Sequence, residues 1–279
     1  MPLTDSQKLY AMYVIGEVES HWNWGSVNYS DPITLGMMQW YGTRAAALLN
    51  RCKNEDAEGY ALLAASLRAS VAAHPATDSW WNTRYMTRDE GNSWATAAQR
   101  NQIHQIQQNQ FIQDDIPAYV RVLTSWGISE DNVKTMIFAM SMYHQSPRQC
   151  GRVISTVGNS GLDTMWRACL NDGVLGRYAN RYNTIHSRLA SWNGTSAPRT
   201  SDNQRNPTRH QAAMRAPAEG PSHRNPASTG SRAMPGTSSS STRNFPAESS
   251  ASARSAEDGI PPSTAPGHQT PPIREADPQ

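Results

Sequence analysis

The chain has 279 residues and a formal net charge of +2, a balance that favours no specific nucleic-acid partner. Its three cysteines form no CxxC pair and have no metal-ligand spacing, which argues against a disulfide framework and for folding in a reducing cytoplasm. The start has no basic segment before an apolar core, so we expect no ordinary signal peptide. We also expect no membrane span, because the longest apolar run, Leu9 to Gly16, is too short.

Composition divides the chain into two parts. Residues 1–194 contain all nine tryptophans and regularly spaced apolar side chains, which predicts one folded domain. Residues 195–279 are rich in Ser, Pro, Thr and Arg and contain no Trp or Tyr. Such a segment buries too little apolar surface to offset its chain entropy. We therefore expect a disordered C-terminal tail.

The predicted elements are helices. Thr4 and Gln7 fit a capping box, and the apolar run after them predicts a buried first helix that ends near Ser20. Asp31-Pro32 is a turn signal. Apolar spacing predicts further helices over 45–52, 60–71, 87–111, 117–127, 129–140 and 178–192, with two short helices after Pro147. No segment shows a convincing strand alternation, so we expect a mainly α domain.

Two glutamates lie in the last turns of the first helix. Glu19 follows an apolar run and precedes Trp22 and Trp24, so we expect apolar surroundings for its carboxyl group. Such surroundings raise the pKa of a carboxyl and let it donate a proton near neutral pH. Glu17 is the rival, but two positions correspond to about 200° of helix rotation, so only one of the pair can face a cleft. We favour Glu19 and expect Glu17 to be an exposed helix charge.

A second carboxylate follows in the next loop. Asp31 could orient a water molecule opposite Glu19, but it is equally well explained as the turn residue of Asp-Pro. Trp24 and Trp40 flank this region and are candidates for stacking on a ligand, although aromatic side chains in an irregular loop more often pack in the core or at its edge. We expect no metal site and no cofactor, because no His, Cys or Asp cluster has ligand spacing.

Two stretches carry a resemblance. Ile15 to Asn23, I-G-E-V-E-S-H-W-N, followed by Gly36 to Gln39, G-M-M-Q, resembles the Glu-Ser and Gly-Leu-Met-Gln motifs of one family. This family is the lysozyme-like superfamily of soluble lytic transglycosylases and goose-type lysozymes. Met142 to Val153, M-Y-H-Q-S-P-R-Q-C-G-R-V, is similar to its later Ala-Tyr-Asn-Ala-Gly-Pro-Gly-Arg-Val stretch. His144 stands where the family has Asn, and Ser146 where Gly is usual.

The resemblance implies a lysozyme-like helical fold and cleavage of the MurNAc-GlcNAc β-1,4 link of peptidoglycan glycan strands. Glu19 would be the general acid/base, and the Ser20 hydroxyl would hold the loop and the carboxylate and contact substrate. Met38 and Gln39 would line the cleft and contact substrate, and Tyr143 would contact substrate as the tyrosine that faces Glu19. Goose-type enzymes keep a second acid near the position of Asp31 and transglycosylases lack one, so a reducing sugar and a 1,6-anhydro product both stay open.

The expected lack of a signal peptide and of a cysteine framework suits a bacteriophage lysin. It would be made in the host cytoplasm and would act on the cell wall, either from the virion or after release through a separate pore. The tail could contact other virion proteins. A first alternative is a non-catalytic wall-binding or tail structural module, suggested by the altered Tyr-His-Gln-Ser stretch. A second alternative is a hydrolase of chitosan or chitin.

Overall fold

The structure, a computed structural model, describes residues 2–196. Nearly all of the predicted tail, 195–279, lies outside the described residues. The described part is mainly helical, which confirms the predicted fold class. Its α-helices are α1 Asp5–Ser20, α2 Thr43–Glu55, α3 Ala57–Ala61, α4 Ala65–Ala73, α5 Arg88–Ala97, α6 Asn101–Asn109, α7 Ile116–Ser125, α8 Val133–Gln145, α9 Pro147–Val157, α10 Leu162–Asn171 and α11 Ala179–Ser191.

The first helix is buried over its central turns. The capping box is present: the Thr4 hydroxyl accepts from the Gln7 N–H at 3.3 Å, and the Gln7 side chain accepts from the Thr4 N–H at 2.8 Å. Every residue from Tyr10 to Gly16 is buried, and α8 and α11 pack against the helix. The helix ends at Ser20 because His21 and Trp22 take left-handed φ angles of 53° and 59°. The predicted bounds of α1 are confirmed.

A small antiparallel sheet follows α1. This sheet is not predicted from the sequence. Its strands are β1 Val27–Asn28, β2 Thr34–Leu35 and β3 Trp40–Tyr41, in the order β1-β2-β3. Val27 pairs with Leu35, and Leu35 pairs with Trp40. Strands of two residues are too short to show an alternation of polar and apolar side chains, so only the pairing reveals them.

Two predicted helices are each split in the structure. The predicted helix 87–111 is α5 and α6, because the chain turns after Ala98, and Arg100, just before α6, donates to Asp56 Oδ2 at 2.8 Å. The predicted helix 60–71 is split between α3 and α4, where the Ala64 N–H donates to the Ser93 hydroxyl at 2.9 Å. Both breaks are stabilised by side chains from elsewhere in the fold, which a local pattern cannot reveal.

Three shorter helical turns complete the described part. A π-helical turn, Gln110–Asp115, connects α6 to α7, and 3₁₀ turns cover Ser79–Asn82 and Leu175–Tyr178. The π turn packs on α1 and places Asp115 towards the interior. Across residues 2–196, no helix has both the length and the hydropathy that a bilayer span requires.

Candidate active site at the end of the first helix

Ser20 joins the end of α1 to the loop Gly36–Gln39. Its hydroxyl donates to the Met37 carbonyl at 2.7 Å and accepts from the Asn23 N–H at 3.1 Å. One side chain therefore fixes both the turn after Glu19 and the neighbouring loop. A contact between Ser20 and substrate stays a prediction.

The loop itself is closely packed. Gly36 has a φ of 83°, a left-handed angle that favours glycine. The Gln107 side chain accepts from the Met37 N–H at 2.8 Å and donates to the Trp24 carbonyl at 3.0 Å. Gln107 thus links two segments of the site from α6. Gln107 is not among the predicted site residues, because a single glutamine in a polar helix carries no signal of such a role.

The structure corrects two predicted substrate contacts. The Met38 and Trp40 side chains are fully buried and have no surface to offer a sugar. The Trp40 indole N–H donates to Asp115 Oδ2 at 2.7 Å, and Arg44 lies 2.7 Å from the same oxygen. Both predicted residues are core residues of the site because their loop folds inward. Gln39 is also largely buried, and its amide donates to the Gly36 carbonyl at 2.9 Å.

The Glu19 carboxylate lies at the meeting point of α1, α8 and α11. Its side chain is 6% exposed, and its Oε1 accepts from Arg181 Nη2 at 2.6 Å. The apolar run of α1 predicts apolar surroundings, whereas the structure places a guanidinium against the carboxylate. An opposite charge at this distance favours the ionised form of a carboxyl group. Burial acts to lower the pKa of Arg181, but its charge interactions and hydrogen bonds with Glu19 and Tyr182 together outweigh this and raise that pKa above its ordinary value.

Glu17 has a separate partner. Its two carboxylate oxygens accept from Arg188 Nε and Nη2 at 2.9 and 2.7 Å. Arg181 and Arg188 both belong to α11, so this helix pairs with both glutamates of α1. The exposed charge expected for Glu17 is instead half of a bidentate ion pair, in which the arginine is the more exposed partner.

His144 connects Glu19 to the rest of the site. Its Nε2 lies 2.8 Å from the Met38 carbonyl and 3.4 Å from Glu19 Oε1, and its Nδ1 lies 2.8 Å from the Tyr119 hydroxyl. A carbonyl oxygen can only accept, so we infer that Nε2 carries a hydrogen. A neutral ring then accepts from Tyr119 at Nδ1. The histidine that replaces the family's asparagine therefore bridges the Gly36–Gln39 loop and α7.

Tyr143 lies beside this network. Its ring is half-buried, with centroid distances of 5.1 Å to Tyr119 and 5.7 Å to Trp126. Burial raises the pKa of the Tyr143 phenol. Trp126 also lines a cavity of about 430 Å³, together with Gly151, Ile154 and Ser155. A substrate contact by Tyr143 stays a prediction.

Trp24 and Asp31 lie in the segment between α1 and β2. Asp31 is half-buried in the turn between β1 and β2, and its Oδ2 accepts from the Asn28 amide at 2.7 Å. This contact fits the turn role, and a catalytic role stays a prediction. The Trp24 ring stacks on His104 with a centroid distance of 4.7 Å. Burial lowers the pKa of His104, which keeps this ring neutral near pH 7.

Within residues 2–196, no cluster of three or more His, Cys, Asp or Glu side chains could hold a metal ion. Cys52, Cys150 and Cys169 are free and buried.

Comparisons of the chain with protein families, with curated proteins and with solved structures find no match.

Proposed function

We propose that the protein is a lysozyme-like enzyme that cleaves the MurNAc-GlcNAc β-1,4 link of peptidoglycan, with Glu19 as its general acid. One observation carries the proposal. The two stretches that resemble the lysozyme-like superfamily are far apart in the chain, yet His144 contacts the Met38 carbonyl at 2.8 Å across 106 positions. The same imidazole reaches Glu19 at 3.4 Å. Both motifs therefore contribute to one site around a single carboxylate.

The proposed chemistry uses side chains of this chain alone. Glu19 gives a proton to the glycosidic oxygen as the bond between that oxygen and the sugar carbon breaks. In a transglycosylase the resulting carboxylate would accept the proton of the sugar's own 6-hydroxyl, whose oxygen forms the new bond to that carbon. In an inverting hydrolase Asp31 would instead be the base, activating a water molecule on the opposite face of the ring. As a phage lysin, the protein would reach the wall from the virion or through a separate pore.

Glu19→Gln tests the acid role. The substitution keeps the size of the side chain and removes the transferable proton, so we expect the rate of wall lysis to fall by about 100-fold or more. The measurement is the loss of turbidity of purified cell walls with the full chain, followed by mass analysis of the products. A product with an intact reducing end indicates hydrolysis, and a 1,6-anhydro end indicates transglycosylation.

Glu17→Gln is the matched control, because Glu17 also pairs with an arginine of α11. It should retain lysis, and the melting temperatures of both variants should be compared with that of the wild type. Undiminished lysis by Glu19→Gln, or its loss in Glu17→Gln alone, would contradict the assignment of Glu19.

The Arg181 contact favours one second candidate, a wall-binding module without turnover. A carboxylate bound to a guanidinium at 2.6 Å is poorly placed to donate a proton. Cosedimentation with purified walls separates the two functions: binding without any soluble product favours the module. Chitosan and chitin oligomers, which lack the lactyl and peptide groups of the wall, test the remaining hydrolase alternative.

A further inference from the structure

Helices α1 and α11 are joined by two ion pairs of the same chemical type. Arg188 is 46% exposed and binds Glu17 at the surface. Arg181 is 13% exposed and binds Glu19, whose side chain is 6% exposed. The pairs differ mainly in their exposure and in their distance from the candidate site. Water screens the outer pair strongly, whereas the inner pair is largely shielded from solvent.

Arg181 supplies a positive charge at contact distance from Glu19. The titratable groups that face Glu19 from the packed helices include Tyr182, also on α11, and His144 on α8. The His144 Nε2 lies 2.8 Å from the Met38 carbonyl and 3.4 Å from Glu19 Oε1, and its Nδ1 lies 2.8 Å from the Tyr119 hydroxyl. Asp115, on the π turn that also packs on α1, is engaged by Arg44 and Trp40. Within this set Arg181 is the permanently charged group, and it contacts Glu19 Oε1 at 2.6 Å.

We propose that Arg181 is a positioning residue that holds Glu19 as the carboxylate in the free protein, so that wall cleavage is confined to acid pH. Glu19 then takes its proton from solvent only as the pH falls, and passes that proton to the leaving sugar oxygen. The consequence for cleavage rests on the proposed function, whereas the charge state of Glu19 does not.

Arg181→Met tests the effect on activity. Without the guanidinium, Glu19 binds its proton at higher pH, so we expect the alkaline limit of lysis to move up by about one pH unit or more. Arg188→Met is the control, since it removes the outer pair between the same helices and should leave the pH profile unchanged. Arg181→Lys keeps a positive charge and should retain the wild-type profile. An unshifted profile in Arg181→Met would overturn the proposal.

A direct titration separates this proposal from the proposed function. The side-chain carboxyl carbons of ¹³C-labelled glutamate are followed by NMR in the full chain, and Glu19 is assigned by the signal lost in Glu19→Gln. We expect the Glu19 midpoint to be higher in Arg181→Met than in wild type. Equal midpoints would overturn the role of Arg181 even if the walls are cleaved. If wild type cleaves no wall and the midpoint still shifts, only the proposed function fails. Arg181→Gln serves in the same way should Arg181→Met not fold.

Discussion

At the scale of single residues, Glu90 shows how this fold accommodates a buried charge. The residue is 2% exposed. Its carboxylate accepts from the Ser66 hydroxyl at 2.7 Å and the Thr87 N–H at 2.9 Å, and it pairs with Arg84. Burial acts to raise the pKa of Glu90, but these hydrogen bonds and the nearby charge outweigh it and lower that pKa below its ordinary value.

The stability that Glu90 contributes should depend on pH. Because its pKa is lower in the folded state, the contribution is present above the ordinary value of about 4.5 and is lost as the pH falls through the folded-state pKa. Glu90→Gln leaves Arg84 without its partner, so we expect it to lower the free energy of unfolding by about 3 kcal/mol at pH 7. The difference from wild type should shrink below pH ~4.5.

Urea unfolding between pH 3 and pH 7 measures this difference. Asp89→Asn is the control, because Asp89 directly precedes Glu90 in the same helix but its side chain is exposed. Equal losses in the two variants would show that the Glu90 network adds no stability of its own.

At the scale of elements, the loop Gly36–Gln39 holds the site together by its tight packing. A Cβ atom on Gly36 would lie 2.8 Å from Gln107 Oε1 and 2.9 Å from the Trp40 ring. The φ of 83° adds backbone strain for any other residue. The glycine of this motif is thus required by a close approach as well as by the backbone.

Gly36→Ala should destabilise the protein more than backbone strain alone would. Gly127 has a comparable φ of 92° but nothing within 4 Å of its added Cβ, so Gly127→Ala measures the strain by itself. We expect a loss of about 1 kcal/mol for Gly127→Ala and about 3 kcal/mol for Gly36→Ala, since only the latter displaces packed side chains.

Equilibrium unfolding gives both values, and hydrogen exchange of the Met37 N–H reports whether its bond to Gln107 is lost. Equal losses in the free energy of unfolding for the two variants would mean that the loop Gly36–Gln39 rearranges easily and that its packing does not stabilise the site.

At the scale of the whole molecule, the last described residues close the domain on α1. The rings of Tyr10 and Trp192 stack at 4.0 Å, and Gln7 donates to the Gly194 carbonyl at 3.0 Å. Trp192 in turn donates to the Ser196 carbonyl at 2.8 Å. The contacts of the folded part therefore extend to Ser196, two residues past the predicted boundary at 194.

Shortening the chain should separate the domain from the predicted tail. A chain ending at Ser196 should keep the melting temperature of the full chain within about 2 °C, because the removed segment contains no Trp or Tyr. A chain ending at Ser191 loses Trp192 and should be less stable by about 3 kcal/mol. Calorimetry of the three chains checks this. A large decrease for the chain ending at Ser196 would contradict the predicted tail.

Local sequence signals account for part of this molecule. The capping box and the apolar run determine α1, because both depend on residues within a few positions of one another. They also place Glu19 in the last turn of a buried helix. The break between α5 and α6 escapes such signals, since Arg100 binds Asp56 at 2.8 Å across 44 positions.

The sequence by itself therefore determined the helical class, the first helix and the choice of Glu19 as the candidate acid. The tertiary structure alone decided what surrounds that carboxylate. Arg181 is 162 positions away in the chain, and it turns the expected apolar environment of Glu19 into a shielded ion pair. The physical reason is range: helix signals act between neighbours in sequence, whereas the charge state of a buried carboxyl depends on whichever side chains the fold brings to it.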